Sequence, residues 1–414
     1  MKKYHKSTNN AITLPQNVAQ SLSSLLQNPT IHAVRMLAAA VAEALLQAEA
    51  DAICGPRYKN DPNRQFYRWG SQPGYVCVAA VKTPITRPRV RAKSGGEVQL
   101  ETYKMLRNED ALCEETLNLV LVGVSCRNYA QAVEAVCGRG VSASSVSRRI
   151  RRAAAERLRE LMERDLSRLD IVAVVIDGKV LGGGHTVIVA LGVDAEGRKW
   201  VLGVWPGATE NAEVVKALLE DLLRRGLKAE EGLLFVVDGS RALRKGIREV
   251  FGDKAVVQRC VRHKMENVLS HLPDRWRVEA ERRLKAAWGM EGYEEAKEAM
   301  DGVLRWLRRL NEGAARSLEE GLEETLTLHR LGVRGELRRS LRTTNLIESC
   351  LSLGERICGR VSRWRDVSQV MRWCGLWLME AERRMRKVRG WRGLVDLKER
   401  LRREVASPSI FNYT

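Results

Sequence analysis

Between residues 170 and 270 the chain alternates short, uniformly apolar runs with longer stretches of helical periodicity. The runs 171–176, 185–193, 199–204, 233–237 and 254–258 are rich in β-branched residues, and turn signals such as Gly182-Gly-Gly184 and Asp194-Ala-Glu-Gly197 separate them. Runs that are apolar at nearly every position, rather than at every second one, predict strands buried on both faces. Apolar residues at spacings of three and four predict helices over 209–226, over 241–250 and onward from 261. The predicted order is β-β-β-α-β-α-β-α. Elsewhere, 31–50 carries helical periodicity with many alanines, 61–107 is polar and Pro-containing, and 109–162 is helical again. Charged amphipathic helices fill 273–340, clearest at 278–289 and 296–310, and the Asn-, Gln-, Ser- and Thr-rich residues 1–30 read as a mobile leader.

Three strands joined by tight turns, followed by alternating helix and strand, predict a mixed sheet with helices on both faces. That is the order of a ribonuclease H-like domain, here formed by 170–272 and 341–360 and interrupted by an all-helical insertion at 273–340. In this order the first and fourth strands are neighbours. Asp177 and Asp238 would then meet, each lying just past an apolar run and just before a glycine. Two carboxylates side by side in a partly dehydrated cleft repel, and a bound divalent cation is the natural resolution. The cap signal Arg342-Thr-Thr-Asn345 opens a further helix that carries Glu348 in its first turn and brings a third carboxylate back to the sheet.

At 414 residues, 44% of them apolar, the chain can build two or more domains with full cores. Charge adds a partner. The 70 Lys and Arg against 51 Asp and Glu give a net +19, which implies a polyanion, and nucleic acid is the commonest one. The excess sits in a basic, β-rich DNA-contacting region after the first helix (31–108) and in a C-terminal helical region (361–414) that offers Arg363 and Arg365. Within 109–165, helix 129–137, the turn Gly138-Arg-Gly140 and helix 141–150 read as a helix-turn-helix. Its second helix would present Ser144, Ser145, Ser147, Arg148 and Arg149 to a groove while Val146 and Ile150 pack inward. Arg241, Arg259 and Lys264 are further candidate phosphate contacts. No stretch is long and apolar enough to span a bilayer, so a cytoplasmic, nucleoid-associated protein is expected. Nine cysteines without a Cys-x-x-Cys pair indicate neither a disulfide framework nor a four-cysteine zinc site.

Four motifs occur in order: Val204-Trp-Pro-Gly-Ala-Thr-Glu-Asn-Ala212, Val237-Asp-Gly-Ser240, Val257-Gln-Arg-Cys-Val-Arg-His-Lys-Met-Glu-Asn-Val268 and Arg342-Thr-Thr-Asn-Leu-Ile-Glu348. In these the chain closely resembles the Mutator-like transposases of bacterial insertion sequences, over roughly residues 35 to 395. The gaps agree, with 61 positions from Asp177 to Asp238 and 110 from Asp238 to Glu348. The resemblance implies an Asp-Asp-Glu transposase that binds the terminal inverted repeats of its element as double-stranded DNA, cuts the ends and joins a 3′-OH to target DNA. It also implies two Mg²⁺ ions held by Asp177, Asp238 and Glu348, with Mn²⁺ as a substitute, and a homodimer. Cys260 and His263 match a Cys-x-x-His motif of such enzymes and are expected to support the site, being only half of a zinc site. One departure follows the glutamate, where Ser349-Cys-Leu-Ser352 lacks the Arg and Asn often found in relatives. The rival reading is a domesticated, non-cleaving DNA-binding protein.

Overall fold

The computed structural model describes residues 15–28, 30–55, 64–78, 81–107, 142–207, 211–358, 361 and 363–406. It divides into two compact units, Met1–Ala153 and Ala154–Thr414.

In the first unit the helix Ile31–Cys54 lies against an antiparallel sheet of β1 (Phe66–Val78), β2 (Val81–Ala92) and the short β3 (Glu97–Val98). Ala39, Ala42, Leu46 and Ala50, at helical spacing, pack on Val76, Ile85 and Val90 of the strands. The alanines let the helix approach closely. The expectation of a mobile leader over 1–30 is corrected in part, because Gln16–Gln27 is a helix. Val18 is buried, and Leu22 and Leu25, four and seven positions on, are half-buried on the same side. That stripe gives a polar-looking segment a face to pack. Of the proposed helix-turn-helix, the first helix and the turn lie outside the described residues. The second is the helix Ala143–Met162, in which Val146 and Ile150 are buried as expected while Ser144, Ser147 and Arg148 are exposed and Ser145 half-buried. Arg149 departs from expectation. At 9% exposure it faces inward, on the same side as Val146 and Ile150.

The second unit is built on a five-stranded mixed sheet in the order β6-β5-β4-β7-β8. The strands are β4 (Ile171–Val180), β5 (Thr186–Asp194), β6 (Lys199–Pro206), β7 (Leu233–Val237) and β8 (Ala255–Arg259). β4, β5 and β6 form an antiparallel meander, whereas β7 runs parallel to β4 and β8 parallel to β7. The first and fourth strands are therefore neighbours, as the element order required. One face packs Val174, Ile176, Ile188, Leu202, Phe235 and Val237 against the helices Ala212–Arg224 and Arg241–Phe251. The alternate residues, among them Val175, Val189, Leu191 and Val236, are equally buried. The helices Asn345–Cys358, Val367–Arg384 and Leu394–Ala406 contact the same strands from outside that first cluster, so the sheet is covered on both faces.

Between β8 and Glu348 the chain is entirely helical. The helices Val261–Ser270, Asp274–Gly289, Tyr293–Leu310 and Glu312–Glu319 share a core of their own around Leu284, Trp288, Met300 and Leu307. The tryptophans of the basic C-terminal region serve packing. Trp377 is fully buried, and the indole of Trp364 lies so close to Gly182 that a Cβ there would meet its Nε1 at 2.4 Å. The described cysteines, Cys54, Cys77, Cys260, Cys350, Cys358 and Cys374, are free thiols. Among the described residues no helix is long and apolar enough to cross a membrane.

Candidate active site

The ladder between β4 and β7 pairs Val175 with Val236. Two residues further on each strand stand Asp177 and Asp238, so the two carboxylates leave adjacent parallel strands at the same level. Asp177 still belongs to the ladder, opposite Val189 of β5. Its Oδ1 accepts the N–H of Gly178 at 2.8 Å. Asp238 ends β7, and its Oδ1 accepts the N–H of Ser240 at 2.9 Å. Ser240 in turn caps the helix Arg241–Phe251 through the N–H of Leu243, at 3.3 Å. This is a strand-to-helix turn held from both ends.

The next strand delivers the supporting pair. Val237 faces Arg259 across the β7–β8 ladder, and the N–H of Cys260 continues it to the carbonyl of Val237 at 2.8 Å. Cys260 then precedes the helix Val261–Ser270, which places His263 one turn on, beside its thiol. Burial pushes the Cys260 thiol up. Hydrogen bonds from the side chain and backbone of His263 and from the backbone of Thr344, with the His263 charge, outweigh that and leave it below the usual thiol range. The same hydrogen bond raises His263 to about 9 against its burial, and the charges of Cys260, Asp177 and Asp238 act in the same direction. The imidazole is thus held as a cation facing both aspartates.

Glu348 arrives from far along the chain. Its helix is docked by the N–H of Val261, which donates to the carbonyl of Arg342 at 3.0 Å. The Thr344 hydroxyl lies 3.7 Å from Cys260 Sγ and 3.4 Å from Glu348 Oε1, joining the Cys-His pair to the glutamate. Arg262 Nη1 donates to the other oxygen, Oε2, at 2.9 Å. Neither Thr344 nor Arg262 stood out in the sequence. The signal available was their position, inside the cap signal and inside Cys-Val-Arg-His.

Burial raises the Asp177 carboxyl to about 6; the Gly178 hydrogen bond and His263 oppose this, while the nearby charges of Asp238 and Glu348 add to it. The structure therefore brings Asp177, Asp238, Glu348 and His263 within electrostatic reach of one another, with Cys260 behind them. The donor set, three carboxylates of which one is strained by burial and like charge, fits a hard divalent cation. Their present spacing is wider than a shared ion requires. Among the described residues no three of His, Cys, Asp and Glu are grouped closely enough to hold one, and one oxygen of Glu348 is given to Arg262. In front of the site an open cleft of about 420 Å³ is lined by Asp238, Ser240, Arg241, His263 and Asn267.

Of the candidate phosphate contacts, Arg241, Arg363 and Arg365 are exposed. Arg259 and Lys264 are corrected, since they are 2% and 1% exposed and act inside the protein. Lys264 Nζ donates to the carbonyls of Ser317 and Glu320, and Arg259 Nη1 donates to the Glu320 carbonyl at 3.0 Å. Basic residues flanking a catalytic motif look solvent-facing in sequence, but here a turn some 60 positions away folds over them.

The family model described as "Transposase, Mutator family" matches residues 10–386. The chain is similar to the transposase for insertion sequence element ISRM5 of Rhizobium meliloti (strain 1021), 30% identical over 335 residues, which are 78% of this chain and 81% of that protein. It is also similar to the transposase for IS6120 of Mycolicibacterium smegmatis, 31% identical over 238 residues, 56% of this chain and 72% of that protein. To the transposase for IS256 in transposon Tn4001 of Staphylococcus aureus it is 25% identical over 311 residues, 72% of this chain and 76% of that protein.

Proposed function

The chain belongs to the Mutator family of transposases, and on that premise we propose that it is an Asp-Asp-Glu enzyme with a ribonuclease H-like catalytic domain. It binds the terminal inverted repeats of an insertion sequence, cuts the ends and joins the 3′-OH to target DNA, in the cytoplasm and as a homodimer. The observation that carries this is the level placement of Asp177 and Asp238 on adjacent parallel strands, with Glu348 close enough to perturb Asp177. Asp177, Asp238 and Glu348 would hold the divalent ions. The chemistry supplied by two bound Mg²⁺, or Mn²⁺, is activation of an attacking water or 3′-OH and stabilisation of the leaving 3′-oxygen.

The chain's own residues do the rest. The cationic His263, lining the cleft beside Asp238, places positive charge where a phosphodiester would enter. The Thr344 hydroxyl and the Cys260 thiol fix Glu348 and His263 against each other. Arg241 stands exposed at the start of its helix, where charge and helix dipole both favour a phosphate. Arg262 must release Glu348 before that carboxylate can serve an ion, and a DNA phosphate is a competing partner for its guanidinium. The same ion pair is what favours the second reading, a DNA-binding protein that no longer cleaves. The test is cleavage and strand joining on a duplex carrying the element's terminal sequence. Nicking and joined product that appear with Mg²⁺ or Mn²⁺ and vanish with a chelator are expected; tight binding without cutting in any metal would favour the second reading.

DNA recognition by a helix-turn-helix within 109–165 is part of the proposal. Its described helix makes the two arginines separable. Arg148→Ala is expected to weaken DNA binding several-fold and to lower the salt slope by about one unit, with no change in melting temperature. Arg149→Ala, by contrast, should lower the melting temperature, because its side chain is buried. Fluorescence anisotropy across a salt series checks the first, and thermal melting checks both variants. Unchanged affinity in Arg148→Ala would take this helix out of the DNA interface.

A further inference from the structure

The turn that follows β4 is the seat of the segment that follows the Glu348 helix. The Trp364 indole rests on Gly182, where a Cβ would meet its Nε1 at 2.4 Å and its Cδ1 at 2.7 Å, and a Cβ on Gly183 would meet the Trp364 Cβ at 3.5 Å. Gln369 holds the backbone on both sides of the tryptophan. Its Nε2 donates to the Arg363 carbonyl at 3.4 Å, and its Oε1 accepts the N–H of Arg365 at 3.0 Å. Trp364 is half-buried, while Arg363 and Arg365, one on each side of it, are exposed. Arg356, near the end of the helix Asn345–Cys358, is exposed as well. Among the described residues none of these three arginines has an ion-pair partner. The carboxylates along this segment are engaged elsewhere. Glu355 is paired with Lys179, and Asp366 caps the helix Val367–Arg384 by accepting the N–H of Gln369 at 2.6 Å.

We propose that Arg363 and Arg365 grip the DNA backbone to one side of the scissile bond, about five phosphates away, with Arg356 beside them. The inference rests on the DNA-cleaving reading above and adds where a second grip on the duplex lies. Two elements lead from the carboxylates to this place. β4 runs from Asp177 towards Gly182, the helix Asn345–Cys358 runs from Glu348 to Cys358, and the Lys179–Glu355 ion pair ties them together on the way. Five strand positions on the first path and ten helical positions on the second each span about 15 Å. Phosphates of one B-form strand advance about 3.4 Å along the axis per nucleotide, so that span covers about five of them. A guanidinium fork matches a phosphate better than an ammonium does. Anchoring the tryptophan between the two arginines orients their backbone without neutralising either charge. Contacts of this kind carry no sequence information, so the grip serves to hold register.

The full chain is titrated by fluorescence anisotropy with duplexes of the element's terminal sequence in which single phosphates on either side of the cut are replaced by uncharged methylphosphonates. Sequencing the products formed with Mg²⁺ locates the cut. Lower affinity is expected when the phosphate about five positions from it is neutralised. The double variant Arg363→Ala, Arg365→Ala should bind the unmodified duplex about 10-fold more weakly, with a salt slope lower by about two. It should also lose the response to that methylphosphonate, and it should melt with the wild type because both side chains are exposed. Gly182→Ala, which displaces the Trp364 indole, should lose the same response although it removes no charge. Wild-type affinity and salt slope in the double variant, or an unchanged methylphosphonate response in it, overturns the proposal and leaves DNA cleavage standing. A response found only beyond the reach of that span, or one that survives Gly182→Ala, overturns the placement on the β4 turn. A wild-type chain that binds no duplex, or binds without cutting in any metal, removes the underlying reading, and this inference with it.

Discussion

Asp177→Asn is expected to lower DNA cleavage by on the order of 10³-fold or more while leaving affinity for terminal DNA within about twofold. The substitution keeps the shape of the side chain and its hydrogen bond from Gly178, and removes only the charge. The proposed metal ion is what needs that charge: Asp238 and Glu348 push against it, and of the groups in the site His263 favours it. Stability should move the other way. The folded carboxyl sits at about 6 against an unperturbed 3.8, so the folded chain binds the extra proton between those values. Stability therefore falls as pH rises through about 4 to 6 and stays lower above it. At pH 7 the Asn variant should melt above the wild type, and the gap should close as pH drops below about 4. Mg²⁺ should raise the melting temperature of the wild type and not of the variant. Cleavage within tenfold of wild type, or simultaneous loss of binding and cleavage, would sink the assignment of Asp177.

The sequence was most legible where local pattern and final environment agree. β7 occupies the residues its apolar run marked, Leu233–Val237, because glycine and aspartate stop it at both ends. β4 was read as ending at 176 and runs to Val180. Its polar end is carried by pairing with β5, Gly178 opposite Ile188 and Lys179 opposite Val187, and a hairpin ladder does not need apolar residues. The two aspartates were visible because each follows an apolar run directly. What was not legible depends on contacts between distant residues. The Arg262–Glu348 ion pair joins positions 86 apart, and the inward turn of Arg149 follows from the packing of its helix. Lys179 is likewise paired with Glu355, 176 positions along the chain.

Arg259→Ala separates a buried brace from a phosphate contact, and its effects should be large on stability as well as on activity. The Arg259 guanidinium fills the space beside two glycines. A Cβ on Gly239 would meet its Nη2 at 2.3 Å, and one on Gly321 would meet its Nη1 at 2.4 Å. It thereby ties the turn that follows Asp238 to the turn at 320–321, through the Glu320 carbonyl at 3.0 Å and the Glu320 carboxylate at 3.6 Å. Truncation leaves a cavity and one carbonyl with a poorer set of donors, a loss of about 2–4 kcal/mol. The half-exposed Glu320 carboxylate can rehydrate, which keeps the cost below that of a broken, fully buried ion pair. With the brace gone, the Asp238 turn shifts, and a displacement near 1 Å at a reacting group costs about 10²-fold in rate. The exposed Arg241 provides the contrast: Arg241→Ala should melt with the wild type and bind DNA more weakly. Chemical denaturation with parallel anisotropy decides between the two roles. If Arg259→Ala kept wild-type stability and lost DNA affinity as Arg241→Ala does, Arg259 would be a phosphate contact after all.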